Sequence, residues 1–401
     1  MTNPTQALQL KAIISIHYDL GELVDYEQLN LGYVNVSYII TTKPDREAYE
    51  KRVCAGSGSP CAHPFFGIIR SLVGQLRYII EIKSNGKNKK YFLRRYKQGI
   101  KEEKITFEHS VINHLTKENF RLVARVIPTR DGKTYIKRSE SGGNVFYAIF
   151  DFLTGDDRYT WVDPNCSDED LKAAAAVLAR FHNAVFGFIP KGRRYEAKII
   201  DLLPGIAQTV EGCAQKAGKT VFDAYFVKNI NLIQETIQRI QRVMEKDEYK
   251  ELIQLVIHCD YHPGNLKFQN GEITGLFDFD WSKVDVRCFD VALAMTYFCV
   301  AWEGKQDGDL QLNKVALFLD AYQNILRDTP DVGLLGDVEL KFLPYLIGAS
   351  NIYVLNWSIG DFYSTEVNPH EYLTYLQHGI RFLRWLENQD NWGQLKRTVC
   401  A

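Results

Sequence analysis

The sequence has almost no net charge: 48 Lys and Arg stand against 49 Asp and Glu, a formal −1. A dedicated nucleic-acid-binding domain carries a surplus of cations, so that class of partner is not expected. No stretch approaches the ~18 uninterrupted apolar residues of a membrane span. The best run, residues 291–300, is about half that length and reads as a buried helix. Residues 1–20 hold a single cation among Lys and Arg, Lys11. They lack an apolar run with a small-residue cleavage site, so no secretory leader is expected. The 8 cysteines are scattered, and a chain of this length does not depend on disulfide staples, which makes a reducing cytoplasm the expected compartment. Cys54, Cys61 and His63 lie close together, yet no second ligand pair follows, and a loop bearing free thiols is the simpler reading than a zinc site. The low hydrophobicity and large net charge of disordered chains are absent too, at 46% hydrophobic and 24% charged residues. No internal repeat is present.

What remains is a folded chain of 401 residues. A single core stops growing near ~250–300 residues, so two lobes are expected. Residues 7–20 carry a short amphipathic pattern. Residues 33–41, YVNVSYIIT, are β-branched and aromatic and read as a strand. Residues 42–75 have little periodicity and include Gly56–Pro60, GSGSP, the composition of an insertion or long loop. Strands are expected at 76–83 and 91–96 around Asn85-Gly86, a hairpin signal. A helix follows over 101–117, then short strands at 123–127, 134–137 and 145–150. After Gly155 the pattern turns helical, with helices predicted over 171–186, 224–245 and most of 314–401. The change near 150–155 divides the chain into a β-rich part, 1–150, and a helical part, 151–401.

Chemistry concentrates in residues 256–280, VIHCDYHPGNLKFQNGEITGLFDFD. Two apolar runs flank an Asn270-Gly271 turn, and His258, Asp260, Asn265, Asp278 and Asp280 cluster at their ends. Phosphoryl transfer needs a carboxylate to orient or deprotonate the attacking hydroxyl. It also needs hard oxygen ligands for Mg²⁺, which an Asn and an Asp supply. A hairpin between Asn265 and Asp278 would bring the two ends together. Any one of these aspartates alone reads more readily as part of a solvated turn.

The wording HCDYHPGNLKF followed by GLFDFDW resembles the aminoglycoside phosphotransferase and choline/homoserine-kinase-like small-molecule kinases. The resemblance implies an α+β, bilobal protein-kinase-like fold, with an antiparallel N-terminal sheet and a mostly helical C-terminal lobe. It implies Asp260 as catalytic base, Asn265 and Asp278 as Mg²⁺ ligands, and His258 as a support of the loop. Asp290, in CFDVALA, matches the group's downstream Asp and implies a second structural support. Upstream, GYVNVSY places Gly32 and Asn35 in a turn like the group's phosphate-facing turn, where a plain turn is the alternative. YFLRRY offers Arg94 or Arg95 where the group has Lys; strand alternation puts them on opposite faces, and register with the group's Leu-Lys pattern favours Arg94. Arg grips phosphate bidentately but does not simply replace Lys. On the next helix Glu108 would hold Arg94, with Glu102 and Glu103 as the alternatives. YAIFDFLTGD resembles the interlobe connection, implying that the Asp151 carbonyl and the Leu153 N–H face adenine. His182, in LARFHNAVFG, reads as a packing residue.

These readings describe an ATP- and Mg²⁺-dependent kinase acting on a small-molecule alcohol: an amino alcohol, amino acid, sugar or aminoglycoside. Acceptor-lining candidates such as Tyr297, Trp302, Trp357 and Asp361 sit at helical spacing, where core packing is the commoner role, and so name no acceptor. A nucleotide-binding pseudokinase scaffold is the alternative function. A protein kinase is a third, weakened by the lack of an Ala-Pro-Glu element after Asp278.

Overall fold

Strands in the first part of the chain carry apolar residues on both faces, which a sheet tolerates only when both faces are covered. In the computed structural model, which describes residues 4–29, 76–84, 87–140, 142–329, 331–365 and 367–400, that is the arrangement found. The elements before residue 151 are α1 (Pro4–His17), β1 (Glu22–Leu29), β2 (Leu76–Ser84), β3 (Lys87–Arg95), α2 (Glu102–Lys117), β4 (Val126–Ile127), β5 (Ile136–Glu140) and β6 (Gly143–Asp151). Among the described residues the six strands form one antiparallel sheet, ordered β1-β2-β3-β6-β4 with β5 also on β6. Ser84 pairs with Lys87, and the Asn85-Gly86 turn between them lies outside the described residues.

Alternation sorts the side chains. Tyr91 and Leu93 of β3, with Tyr147 and Ile149 of β6, join Leu10, Ile13 and Ile14 of α1 in a small core. The other face, with Phe146, Ala148 and Phe150, packs toward Ile105, Val111 and Ile112 of α2 and is continuous with the main core. Arg94 lies on this second face, Arg95 on the first.

The remainder is mostly helical: α3 (Asp168–Ala184), α4 (Ile199–Gln215), α5 (Val221–Met244), α6 (Asp247–Lys250), α7 (Arg287–Cys299), α8 (Leu312–Arg327), α9 (Asp337–Ser364), α10 (Pro369–Glu387) and α11 (Gln389–Val399). Between α6 and α7 run two antiparallel pairs, β7 (Gln254–Ile257) with β10 (Lys283–Val286), and β8 (Leu266–Gln269) with β9 (Glu272–Leu276). Among the described residues no helix is long and apolar enough to cross a membrane.

Three sequence expectations meet a different outcome. Strand β1 was not anticipated, because ELVDYEQL alternates only loosely; its pairing partner β2 orders it. Helix α4 was not anticipated either, because Pro204 interrupts it and prolines disfavour helix interiors. Burial of Ile199, Leu203, Ile206 and Val210 on one stripe overrides that preference. Only Val126 and Ile127 of the 123–127 run are strand; Val123 instead bridges Leu276 of β9. The expected strand at 33–41, the insertion 42–75 and the Cys54, Cys61 and His63 group lie outside the described residues.

Candidate active site

The site begins where β7 ends. His258, Cys259 and Asp260 follow it, and Cys259 adopts a left-handed conformation with φ 61°. Holding a non-glycine residue there costs about 1–3 kcal/mol, and the conformation persists only where the surroundings enforce it. Asp290, at the start of α7 and fully buried, provides that enforcement. Its Oδ2 accepts the His258 N–H (2.8 Å) and its Oδ1 accepts the Cys259 N–H (2.8 Å). His182 of α3 donates from Nε2 to Asp290 Oδ2 (3.1 Å), while Tyr322 of α8 donates to His182 Nδ1 (2.7 Å). Burial opposes ionisation of Asp290, but the hydrogen bonds from His182 and His258 outweigh it and hold the carboxyl below its usual range. His182, expected to pack, is fully buried and joins Tyr322 to Asp290.

The β8–β9 hairpin closes the other side. Its turn uses Asn270 (φ 54°) and Gly271 (φ 79°), two left-handed residues in succession, as a tight two-residue hairpin requires. Leu266 opposite Leu276 leaves Asn265 beside Phe277, whose N–H donates to the Asn265 carbonyl at 3.2 Å. His258 Nε2 donates to the Phe277 carbonyl at 3.0 Å, tying the two loops together. Burial keeps His258 neutral, its pKa below the ordinary value. Asn265 donates from Nδ2 to both the carbonyl and Oδ2 of Asp260, each at 2.9 Å. Those bonds turn the amide so that its oxygen is the side left to act as a ligand. Asp278 follows at φ 65°, a third left-handed non-glycine residue of the site after Cys259 and Asn270.

Arg94 reaches this loop from the sheet. It is 5% exposed. Its Nη1 donates to Glu108 Oε1 of α2 (2.8 Å) and to Asp280, and its Nη2 to Asp278 Oδ1 (3.4 Å). Arg95 points the other way, to Glu140 at 2.8 Å. Glu102 is occupied by Tyr135 and Lys137, and Glu103 by Tyr195. Of the three candidate carboxylates it is therefore Glu108 that the structure sets against Arg94. Tyr96 donates to Glu108 Oε2 (3.1 Å) and its oxygen meets His109 Nε2 (2.9 Å).

Asp280 is a residue that sequence reasoning noted in the cluster but gave no role; its signal was the two-residue spacing from Asp278. Arg194 was missed altogether. It donates from Nη2 to the Phe279 carbonyl at 3.0 Å, and no motif marks it. Asp151 ends β6 with its carboxylate held by Arg125 (2.6 Å) and Lys89 (3.5 Å). Leu153 follows and packs beside Gly275 of β9. The connection then pairs with the hairpin through Asp156 and Phe268. Gly32 and Asn35 lie outside the described residues.

Three carboxylates around one guanidinium leave the site short of positive charge. Burial, opposed by Arg94 and reinforced by Asp280, pushes Glu108 up to about 7. A folded value above the ordinary 4.5 means the protonated form is favoured on folding, so the stability Glu108 contributes is present below pH ~4.5 and lost as pH rises through about 7. Melting temperatures of the wild type and of Glu108→Gln should therefore follow different slopes: between pH 4.5 and 7 the wild type loses melting temperature relative to the variant. Parallel curves across that interval would show that Glu108 titrates as an ordinary carboxylate.

Beside Asp260, His262 is partly buried, and desolvation lowers its pKa to about 3. Its ring lies 5.3 Å from that of Tyr297, which lines a narrow cleft with Trp161, Trp302, Trp357 and Asn351. Phe362 and Tyr363 are not part of it: Phe362 stacks on Phe222 at 3.7 Å, and Tyr363 donates to Asp223 at 2.6 Å. Asp361 accepts from Tyr372 and is likewise committed to packing.

An antiparallel sheet with one covering helix that carries a carboxylate, joined to a helical part that carries paired acidic loops, is a protein-kinase-like fold. The sequence profile of the phosphotransferase enzyme family (APH) matches residues 69–313, more than half of the chain, and the chain belongs to that family. A homoserine kinase of Chelativorans sp. (strain BNC1) is 28% identical over 155 residues, covering 38% of this chain and 44% of the relative. The chain thus matches less than half the length of the first curated relatives. In fold it is similar to the amicoumacin kinase hAmiN in complex with AMP-PNP, Ca²⁺ and Ami (TM-score 0.57, 15% identity, 86% of this chain and 94% of that one). It is also similar to a microcompartment-associated aminopropanol kinase (TM-score 0.56, 14% identity, 86% and 99%).

Proposed function

We propose that the protein is an ATP-dependent kinase that phosphorylates a hydroxyl group of a small molecule. The observation that carries this reading is the convergence of Arg94, Glu108, Asp278 and Asp280 beside the bonded pair Asn265 and Asp260. Membership of a phosphotransferase family supports it, as do the kinase names of the curated relatives and of the structures alike in fold.

In this reading Asp260 orients the acceptor hydroxyl and takes up its proton. Asn265 keeps the Asp260 carboxylate in place through Nδ2. Arg94, steadied by Glu108, presents its fork to the phosphates. Asp151 and Leu153 frame the adenine edge through their backbone groups. The donor set of an amide oxygen and a carboxylate is hard and fits Mg²⁺, which binds through one or two protein ligands plus phosphate oxygens. Asn265 and Asp278 would hold the ion, and when bound it neutralises charge on the transferring phosphate. The remaining work is positioning and charge stabilisation. The acceptor enters beside Asp260, next to the cleft reached through His262 and Tyr297.

ADP release with Mg²⁺ and ATP across a panel of amino alcohols, hydroxy amino acids, sugars and aminoglycosides tests the reading. At least one acceptor should raise ADP release at least about tenfold over the acceptor-free rate, because a hydroxyl positioned beside the phosphate far outcompetes water. A flat panel together with tight nucleotide binding would favour the scaffold reading instead.

A further inference from the structure

The segment between α3 and α4 is fastened along α2, the helix that carries Glu108. Lys191 N–H donates to Ser110 Oγ at 3.0 Å, and Arg193 N–H to the Glu103 carbonyl at 3.1 Å. Glu196 pairs with Lys104, and Tyr195 donates to Glu103 while the Lys101 ammonium lies 3.8 Å from its ring centre. At the far end of α2, His114 stacks on Phe188 at 3.9 Å. Gly192 makes the close approach possible. It has φ +80°, and a Cβ there would fall 2.6 Å from the Phe107 nitrogen and nearer still to the Glu103 carbonyl. At its start the segment leaves α3 where His114 Nε2 of α2 bonds the Ala184 carbonyl (2.8 Å), and at its end it is rooted in the helical part, where Ile199 N–H donates to Asp285 (2.7 Å).

From this strap Arg194 reaches both sides of the site. Its guanidinium lies 5.5 Å from the Phe107 ring of α2. Its Nη2 donates to the Phe279 carbonyl, between Asp278 and Asp280. A cation at this point offsets part of the excess negative charge of Glu108, Asp278 and Asp280, which Arg94 alone does not balance.

We propose that Arg194 is a positioning residue: it locks α2 to the loop of Asp278 and Asp280, so that Glu108 and Arg94 are held in register with the metal ligands before nucleotide arrives. The proposal goes beyond the kinase reading but rests on it for its consequence in nucleotide binding. It explains why this chain needs a strap at all. Glu108 sits on a helix packed against the sheet and, through His114, against the end of α3, whereas Asp278 belongs to the loop after β9. Arg94 bridges the two through side chains, and Arg194 adds a bond to the backbone of the loop itself.

The test uses the full chain, with Arg194→Met, Arg194→Lys and Gly192→Ala. Two readouts are taken: titration with mant-ATP and Mg²⁺, and hydrogen exchange along residues 102–117 against residues 287–299. Arg194→Met should weaken mant-ATP binding about tenfold, the scale of one charge-assisted hydrogen bond, and speed exchange in α2 while leaving α7 unchanged. Arg194→Lys should recover most of the affinity. Gly192→Ala, which leaves Arg194 in place but pushes the strap away from α2, should reproduce the loss. Wild-type affinity in Arg194→Met, or faster exchange spread evenly over both helices, would overturn the proposal. A lysine variant as impaired as methionine would do the same. A wild-type protein that failed to bind mant-ATP with Mg²⁺ would instead overturn the kinase reading, and this proposal with it.

Discussion

Asp260→Ala is expected to lower phosphoryl transfer by about 10²–10⁴-fold, the range of a positioned general base, while leaving affinity for mant-ATP and Mg²⁺ nearly unchanged. The reason is geometric. Arg94, Glu108, Asp278 and Asp280 form their contacts without Asp260. In the proposed reading Asp260 contributes the carboxylate at the acceptor side, and Asn265 Nδ2 fixes it at 2.9 Å. Asp260→Asn should be nearly as damaging, since an amide accepts a hydrogen bond but does not take up the proton. The measurement is ADP release with the best acceptor, set beside nucleotide titration on the same samples. Transfer within threefold of wild type would show that Asp260 has another role. Loss of nucleotide binding in step with transfer would move it into the phosphate site.

The second large effect is expected at a residue that touches no substrate. Asp290→Ala should destabilise the fold by about 3–5 kcal/mol, the cost of removing one partner from a buried charged network. Transfer should fall as well. The carboxylate receives two backbone N–H groups and the His182 ring, all of them buried. In the alanine variant these donors lose their acceptor, and each unsatisfied group costs about 1–3 kcal/mol. The left-handed turn at Cys259 loses what enforces it, so Asp260 is released even where the chain remains folded. Asp290→Asn should rescue little, because its amide hydrogens would face the same donors. Denaturant unfolding followed by tryptophan fluorescence gives the stability, and ADP release in undenatured protein gives the activity. Unchanged stability in Asp290→Ala would mean that the loop is anchored elsewhere.

The two predictions differ in how readily their residues could be read. Asp260, Asn265 and Asp278 stand within one short stretch, and a hairpin turn of known chemistry separates them. Their convergence follows from local rules, namely strand alternation and an Asn-Gly turn that leaves the hairpin ends side by side. Asp290 was legible only as part of a pattern; its bonds to two successive N–H groups follow from where α7 packs. Helix α4 was illegible because its proline contradicts local propensity, and only burial of its apolar stripe outweighs that.

The upstream half of the site divides the same way. The sequence by itself determined that a cation on β3 and a carboxylate on the following helix were at hand, and that Arg94 and Arg95 would face opposite ways. Which face was which required the layers. Helix α1 covers one side of the sheet and α2 the other, so Arg94 meets Glu108 while Arg95 is left to Glu140. The pairing of Arg94 with Asp280, 186 positions away, and the contact of Arg194 with Phe279 were decided by tertiary structure alone. Local propensity and periodicity act over a few residues. Which charges share a buried space depends on how distant elements stack, and burial then sets the energy of each pairing.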